Sequence, residues 1–482
     1  LIRDRRHLPF FGRLVTKLPH QCHKDSFSSR STLTGSVGAI FAREILGRRT
    51  LRQRYFGLIG YAIALILIAF SGTVVMTQSA HAEGAVIEDV LGILKERGIV
   101  DEEQYSELHA KNKSYEKSQS KLLGKIALSG DFRARHESFW YDTVGNETEA
   151  PNRYRLRYRF RLNGKAKVNN MVSVGFRLGT GSDWNSGNQT LGSSENRFDG
   201  HGIHLRRAFL SMKLPTGGLK TKATFGKQGN PFKWKIGKSD MLLWDSDINP
   251  EGVGLKMSSK PSENFKMFMN AGYFIIDENS SAKDPHFFGA QLGGETTLSG
   301  GMKIGARGSF YNHRSLNSTV LGIHAGEGNI AGGVEGGSDE NEMTFAEFSL
   351  YSKFKPSKAW PILVWGSFVK NLEAKKVGTI DKEDGAFGLG FEVGSKKHFA
   401  KLGLGYFEVE ANAVPAAYMD SNLFDGHTNR EGFVVYGSKR IMKNTDMGLT
   451  LFLGEEIEDE SGFASRSKAD RVRLQSDIKV KF

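Results

Sequence analysis

Cysteine is almost absent from this chain of 482 residues, and the single one, Cys22, lies within the first 82 residues. The residues after position 82 therefore contain no thiol. This excludes disulfide bonds, thiol catalysis and cysteine-based metal sites from that part of the protein. A chain of this length buries enough surface to fold without such cross-links.

Long apolar runs are also missing after residue 82, so no membrane-spanning helix is expected there. The one such run, at 55–70, follows four arginines between 48 and 54 and precedes A-H-A at 80–82. A basic, an apolar and a small-residue region in this order are typical of a signal peptide. We predict a leader over 1–82 that is cleaved after Ala82, with a retained membrane anchor as the alternative. A leader of this length also predicts that translation starts near Leu51 or somewhat upstream.

A strong charge excess is missing from the main body of the chain. The whole sequence has 66 Lys and Arg against 53 Asp and Glu, but residues 1–82 carry a net charge of +9 and the other 400 residues only +4. Nothing in the sequence resembles a nucleic-acid-binding module. Nucleic acid is therefore not an expected partner.

Residues 83–124 have the only helical pattern after the leader. Val86, Val90 and Leu94 recur at helical spacing, Gly98 suits a helix end, and Asp101 suits the start of a second helix. The stretch 111–121 is polar and is interpreted as a linker. We predict a short α-helical periplasmic segment that packs on itself, on a neighbouring subunit or on the cell wall.

From residue 125 to the end, the hydrophobic pattern has a period of two residues, which is typical of strands. Most of its segments have the length that a tilted strand needs to cross a bilayer, about 9–11 residues. The sixteen segments are 125–139, 152–165, 170–180, 202–213, 219–227, 252–259, 264–276, 287–299, 301–313, 344–355, 359–371, 385–395, 398–410, 431–440, 445–455 and 469–482.

The connections between these segments alternate in length, with eight long and polar ones and seven short ones. An antiparallel transmembrane barrel with both chain ends on the short-turn side has this pattern. A soluble β-sandwich gives no reason for the alternation. Since unpaired backbone groups are costly in hydrocarbon, a sheet there must close on itself. We predict a 16-stranded antiparallel transmembrane β-barrel over residues 125–482.

Four motifs carry a resemblance to a known family: A-H-A-E at 80–83, L-G-I-L-K-E-R-G-I-V-D-E-E-Q-Y at 91–105, G-D-F-R-A-R-H-E at 130–137, and V-K-F ending at Phe482. With the sixteen strands, the chain resembles Gram-negative outer-membrane porins, in particular the "putative porin" group that has a short helical region before the barrel.

The resemblance implies a function. It implies a water-filled channel in the outer membrane through which small hydrophilic solutes and ions diffuse passively, with no enzymatic activity, cofactor or metal. It also implies contact with outer-membrane lipid, assembly as a homotrimer, and recognition of Phe482 by the barrel-assembly machinery.

The stretch N-R-Y-R-L-R-Y-R-F-R-L at 152–162 alternates arginine with aromatic or apolar residues. The arginines must face the lumen, because the opposite register would place five guanidinium groups in lipid at about 2–4 kcal/mol each. The first strand then points Asp131 and Glu137 inward as well. Arg206 and Arg207 are adjacent, so a bulge or a rim position must accommodate one of them. The predicted basic wall of the pore consists of Arg133, Arg135, Arg153, Arg155, Arg157, Arg159, Arg161 and Arg177.

The third long connection, at 229–252, is rich in apolar residues, and the resemblance implies that it folds into the barrel and narrows it. The side chains expected to anchor it are Phe232, Trp234, Ile236, Met241, Leu242, Leu243 and Trp244. Its acids are Asp240, Asp245, Asp247 and Glu251, which are expected to face the basic wall. Two arrangements stay open: a transverse field across the lumen, or a rigid salt-bridge network within the wall.

Selectivity follows from the balance of these charges. The arginine wall favours anions, whereas acidic segments at 335–342 and 455–460 oppose this preference at the mouth. We predict a weak anion preference. The alternative is a porin selective for phosphate, carboxylate or sugar, with Arg155 to Arg159 as a binding ladder. An outer-membrane enzyme or adhesin built on the barrel is a third class, but no catalytic grouping is recognisable.

Two metal-site patterns are set aside. The segment D-S-D-I-N-P-E at 245–251 spaces its oxygens like a calcium loop, but it lacks the central glycine and the closing glutamate. His201 and His204 have no identifiable third ligand. No metal site is predicted.

Overall fold

The computed structural model describes residues 83–123, 126–143, 152–192, 198–316, 328–330, 341–457 and 469–482. The predicted leader and its cleavage site after Ala82 lie outside them.

Two helices precede the barrel: α1 (Glu83–Glu96) and α2 (Glu102–Leu123). Gly98 has a φ of +65°, a conformation that suits the end of a helix. Asp101 caps α2, since its carboxylate accepts the Gln104 N–H at 2.7 Å. The stretch 111–121, interpreted above as a linker, belongs to α2, and its lysine, glutamate and glutamine favour helix. None of the described helices is both long and apolar enough to span a membrane.

The described residues after α2 form sixteen long antiparallel strands and one strand of two residues. The strands are β1 (Ile126–Thr143), β2 (Arg153–Lys167), β3 (Val172–Gly179), β4 (Gln189–Thr190), β5 (His204–Thr216), β6 (Leu219–Lys227), β7 (Glu251–Ser259), β8 (Phe265–Ile275), β9 (His286–Thr297), β10 (Lys303–Leu316), β11 (Asn341–Phe354), β12 (Ile362–Asn371), β13 (Gly385–Gly394), β14 (Lys401–Val409), β15 (Arg430–Met442), β16 (Thr445–Glu456) and β17 (Ala469–Lys481). Each long strand pairs with its neighbours, and β17 pairs with β1. The predicted 16-stranded antiparallel barrel is confirmed.

The last residue completes the seam between β1 and β17. The pairing runs from Asp131 opposite Lys481 to Thr143 opposite Ala469. Beyond it, the Phe482 N–H donates to the Gly130 carbonyl at 3.1 Å, and the Gly130 N–H donates to the Phe482 carbonyl at 2.7 Å. A Cβ at Gly130 would lie 2.4 Å from the Phe482 ring and 2.7 Å from the backbone carbonyl oxygen of Arg161, which cannot move aside as a side chain can. The seam therefore depends on glycine at this position.

A β-bulge separates the adjacent arginines of β5. Arg177 pairs with Arg207, whereas the next residue, Leu178, pairs with Leu205, so Arg206 is the extra residue. Its guanidinium group donates to the carbonyls of Gly181 at 3.0 Å and Asp183 at 2.7 Å, and so fixes the second long connection. The bulge keeps both charges out of the lipid-facing surface.

The two faces of the wall differ as the alternating pattern predicts. On the outer face Leu156 is 54% exposed and Leu389 is 53% exposed, which an apolar surface in contact with lipid requires. On the inner face Glu137 is fully buried, although it is charged. The inner face is thus the place where charges and connections meet.

The outward position of Leu389, in the middle of β13, leads to a stability prediction. Leu389→Arg should lower the free energy of unfolding in lipid vesicles by about 2–4 kcal/mol, because the charge would lie near the bilayer midplane. The matched control is Ile362→Arg at the first residue of β12, also outward, for which about 0–1 kcal/mol is expected near the interface. Denaturant unfolding measures both, and equal losses would contradict this orientation of the strands.

Candidate functional site: the barrel interior

The third long connection, residues 228–250, packs inside the barrel against the inner wall. The Phe232 ring is fully buried, 5.1 Å from the ring of Tyr311 on β10 and 6.2 Å from that of Phe274 on β8. The Trp244 ring lies 5.3 Å from that of Tyr311. These aromatic contacts fix the connection to one side of the interior.

A second connection, residues 410–429, also folds inward, which the sequence analysis did not predict. The Asp245 N–H donates to the Tyr418 carbonyl at 2.7 Å, and the Asp420 N–H donates to the Met241 carbonyl at 3.1 Å. The rings of Trp244 and Tyr418 stack at 5.6 Å. The largely uncharged run A-N-A-V-P-A-A-Y-M at 411–419 is the sequence signal for this burial, since a solvated connection would be more polar.

On the opposite side of the interior, a cavity of about 690 Å³ remains between the third connection and strands β1–β3, β5–β7 and β17. Its lining is unbalanced in charge. Among the described residues, eleven basic side chains line it: Arg133, Arg159, Arg161, Arg177, Arg207, Lys222, Lys233, Lys235, Lys238, Lys256 and Lys479. Two acids, Asp240 and Asp420, also line it. A water-filled space with this lining has a positive potential.

Seven of the eight arginines of the predicted basic wall divide into two groups. Arg133, Arg159, Arg161 and Arg177 line the cavity. Arg135, Arg155 and Arg157 instead surround Glu137, with Nη1 of Arg135 and Nη1 of Arg157 each 3.6 Å from its carboxylate and Arg155 in direct contact. Arg153 is exposed, with its guanidinium group 6.0 Å from the Phe139 ring.

The Glu137 carboxylate is the centre of a buried charge network that joins three strands and a connection. It also accepts a hydrogen bond from Arg473 on β17 at 2.5 Å. Arg473 in turn contacts the Asp425 carboxylate of connection 410–429 at 2.8 Å. The inward direction of Glu137 follows from the alternating pattern of its strand, whereas its link through Arg473 to Asp425 depends on contacts between distant residues.

Asp247 is the one acid of the third connection that lies against the basic wall. Its carboxylate is 3.5 Å from Arg159 and 3.3 Å from Arg161, and it accepts the Gly187 N–H at 3.1 Å. Burial acts to raise its pKa, but Arg159 and Arg161 outweigh burial and hold the pKa below its ordinary value. Asp131 binds the same two arginines, at 3.2 and 2.8 Å.

The other three acids that the sequence analysis expected opposite the basic wall bind elsewhere. Asp240 pairs with Arg307 on β10 at 3.0 Å and accepts the Lys235 N–H at 2.8 Å. Asp245 accepts the N–H groups of Asp247 and Ser421, each at 2.7 Å. Glu251 begins β7, and its side chain is 60% exposed beside Lys227. The acids therefore do not form one row opposite the arginines.

Burial at the junction of the two inward connections changes the protonation of Asp245. Burial raises its pKa to about 7, and the negative charges of Asp420 and Asp247 act in the same direction. The hydrogen bonds from Ser421 and Asp247 only partly oppose this.

The described residues contain no group of three potential metal ligands. His201 forms a hydrogen bond with the Tyr158 hydroxyl at 2.6 Å. The carboxylates of Asp245 and Asp247 are engaged as described above.

Comparisons with known proteins give one family match and several structural similarities. Residues 143–326 match the family described as "Putative porin", and no curated protein matches the chain. The high-pH structure of Pseudomonas putida OprB is similar with a TM-score of 0.48 and 10% identity, over 76% of this chain and 97% of that one. The structure of the outer membrane channel DcaP of Acinetobacter baumannii has a TM-score of 0.42 and 14% identity, over 74% of this chain and 97% of that one. The structure of Salmonella typhi OmpF in complex with daunomycin is similar with a TM-score of 0.44 and 11% identity, over 74% of this chain and 97% of that one.

The closed barrel and the match over residues 143–326 together support an outer-membrane channel of the porin type. The resemblance to the "putative porin" group is confirmed over residues 143–326. The fold and the family match point to a channel rather than an enzyme, and they support a location in the outer membrane.

The network around Glu137 gives a prediction. Glu137→Gln leaves several guanidinium groups without their shared carboxylate, so the free energy of unfolding should fall by about 3–5 kcal/mol. Asp381→Asn is the control, since Asp381 is exposed beside Lys376 and should cost at most about 1 kcal/mol. Guanidinium unfolding in lipid vesicles measures both, and a Glu137→Gln loss no larger than the control would contradict the network's role.

The raised pKa of Asp245 predicts a pH dependence. The folded state holds the proton more tightly than the unfolded state, so stability should fall as pH rises from the ordinary value near 3.8 to about 7 and then level off. Asp245→Asn has no titrating group there and should show a flatter profile, with a constant offset because one acceptor is lost. Denaturant unfolding at a series of pH values across this range measures the free energy of unfolding of both proteins. The same dependence on pH in both would contradict the prediction.

Proposed function

We propose that the protein is a passive diffusion channel for small hydrophilic solutes and ions, with a preference for anions. The observation that carries the proposal is the cavity lining, with eleven basic side chains against two acidic ones among the described residues. A narrow opening lined by one sign of charge raises the local concentration of counter-ions and so favours their passage.

Salt bridges reduce this positive charge without removing it. Asp131 and Asp247 neutralise Arg159 and Arg161 in large part. The basic side chains from β5, β6, β7 and the third connection have fewer acidic neighbours. The acidic segments 335–342 and 455–460 fall largely outside the described residues, so the proposal rests on the cavity.

Assembly is part of the same proposal. We propose export with cleavage after Ala82, a homotrimer in outer-membrane lipid, and recognition of Phe482 by the barrel-assembly machinery. The Phe482 side chain is 57% exposed on the outer face, beside the Phe160 ring at 6.2 Å. The exposed ring supports its role as an assembly signal.

The arginine ladder is less suited to bind a solute than the sequence suggests. Arg155 and Arg157 share Glu137, and Arg159 shares Asp131 and Asp247. A solute would have to compete with these carboxylates. A solute-selective channel therefore needs basic groups from another part of the lining.

The proposal predicts the sign of the reversal potential across a planar bilayer under a KCl gradient, which should indicate chloride preference. Lys479→Glu reverses one charge of the lining and should lower the chloride-to-potassium permeability ratio roughly twofold or more. The control is Lys382→Glu, the same change at an exposed position in the connection between β12 and β13. Potassium preference of the unmodified protein would contradict the proposal.

A further inference from the structure

We propose that Lys222, Lys235 and Lys256 form a binding site for a phosphate-type oxyanion within the channel. This inference rests on the proposed function, because it concerns the same basic cavity. It adds a ligand class and a location that differ from the arginine ladder.

The three lysines converge from two strands and one connection. Lys222 on β6 and Lys256 on β7 are direct cross-strand partners, and both line the cavity. Lys235 reaches the same cavity from the third connection. Lys222 and Lys235 both act on Lys256 by electrostatic repulsion. Three like charges thus share one part of the lumen.

None of the three ammonium groups has a carboxylate partner among the described residues. This distinguishes them from Arg159 and Arg161, which bind Asp131 and Asp247 at 2.8–3.5 Å. Like charges held together without a counter-ion repel one another. An anion from solution relieves this repulsion, so the cluster favours anion binding.

The position of Lys235 is enforced by its surroundings. Its φ is +64°, in the left-handed region that non-glycine residues rarely adopt. Asp240 holds this conformation by accepting the Lys235 N–H at 2.8 Å, and Arg307 holds Asp240 at 3.0 Å. Backbone strain that the surroundings maintain in this way is frequent at ligand sites. Here it fixes the backbone of a lysine whose side chain lines the same cavity as Lys222 and Lys256.

The residue type favours a tetrahedral oxyanion over a planar one. Arginine presents a planar fork that matches a carboxylate, whereas lysine acts as a compact point charge with three rotatable donors. Three such donors around one position suit the several oxygens and the double charge of phosphate. Thr224 and Gln228 add polar side chains to the same lining.

The test is the concentration dependence with which inorganic phosphate blocks chloride current through single channels of the full protein, at mildly alkaline pH where phosphate is mainly dianionic. Phosphate should block saturably, and more strongly than succinate, a dicarboxylate of equal charge whose carboxylate groups are each planar. Each of Lys222→Gln, Lys235→Gln and Lys256→Gln should raise the half-blocking phosphate concentration about three- to fivefold, as expected for one solvent-exposed charge contact.

The matched control is Lys220→Gln, which removes the same charge two residues along β6 but outside the cavity lining. Its half-blocking concentration should stay within error of that of the unmodified protein. Block by phosphate that is no stronger than block by succinate, or that is unchanged in the three variants, would overturn the inference. If chloride preference persists in that case, the proposed function stands; if chloride preference is itself absent, the proposed function fails independently.

Discussion

The pairing of every backbone polar group within the wall is the constraint on which the rest of the structure depends. A strand that crosses hydrocarbon cannot leave N–H and C=O groups open, so the sheet must close. The pairing of β1 with β17 achieves this, and the two hydrogen bonds between Gly130 and Phe482 carry it to the last residue. Once the wall is closed, its side chains can face only lipid or the interior.

The interior then has to accommodate the polar side chains of all sixteen strands. Two connections fold inward and pack their aromatic residues on one side, where Phe232, Trp244 and Tyr418 meet the wall. On the other side, acids from strands and connections pair with part of the arginines. The lysines and the remaining arginines stay in the solvated opening. The asymmetry between an apolar side and a basic side is therefore the basis of the proposed selectivity.

Much of this organisation follows from the sequence, because strand period, connection length and lipid exposure are local properties. The inward direction of the arginines is of this kind. The division of the arginines of β2 between salt bridges and the cavity is not a local property, because it depends on which residues of β1 lie opposite them. Arg155 lies opposite Glu137, and Arg161 lies opposite Asp131. The inward course of residues 410–429 and the pairing of Asp240 with Arg307 depend on contacts across the lumen, which no local pattern reveals.

We propose above all that the side of the interior left free by the two connections is a continuous path for ions. Recording of single-channel current from the purified protein in a planar bilayer tests this most directly. Discrete, stepwise increases in current are expected as individual channels insert. A protein that is folded as a β-barrel but inserts without any stepwise conductance would contradict it.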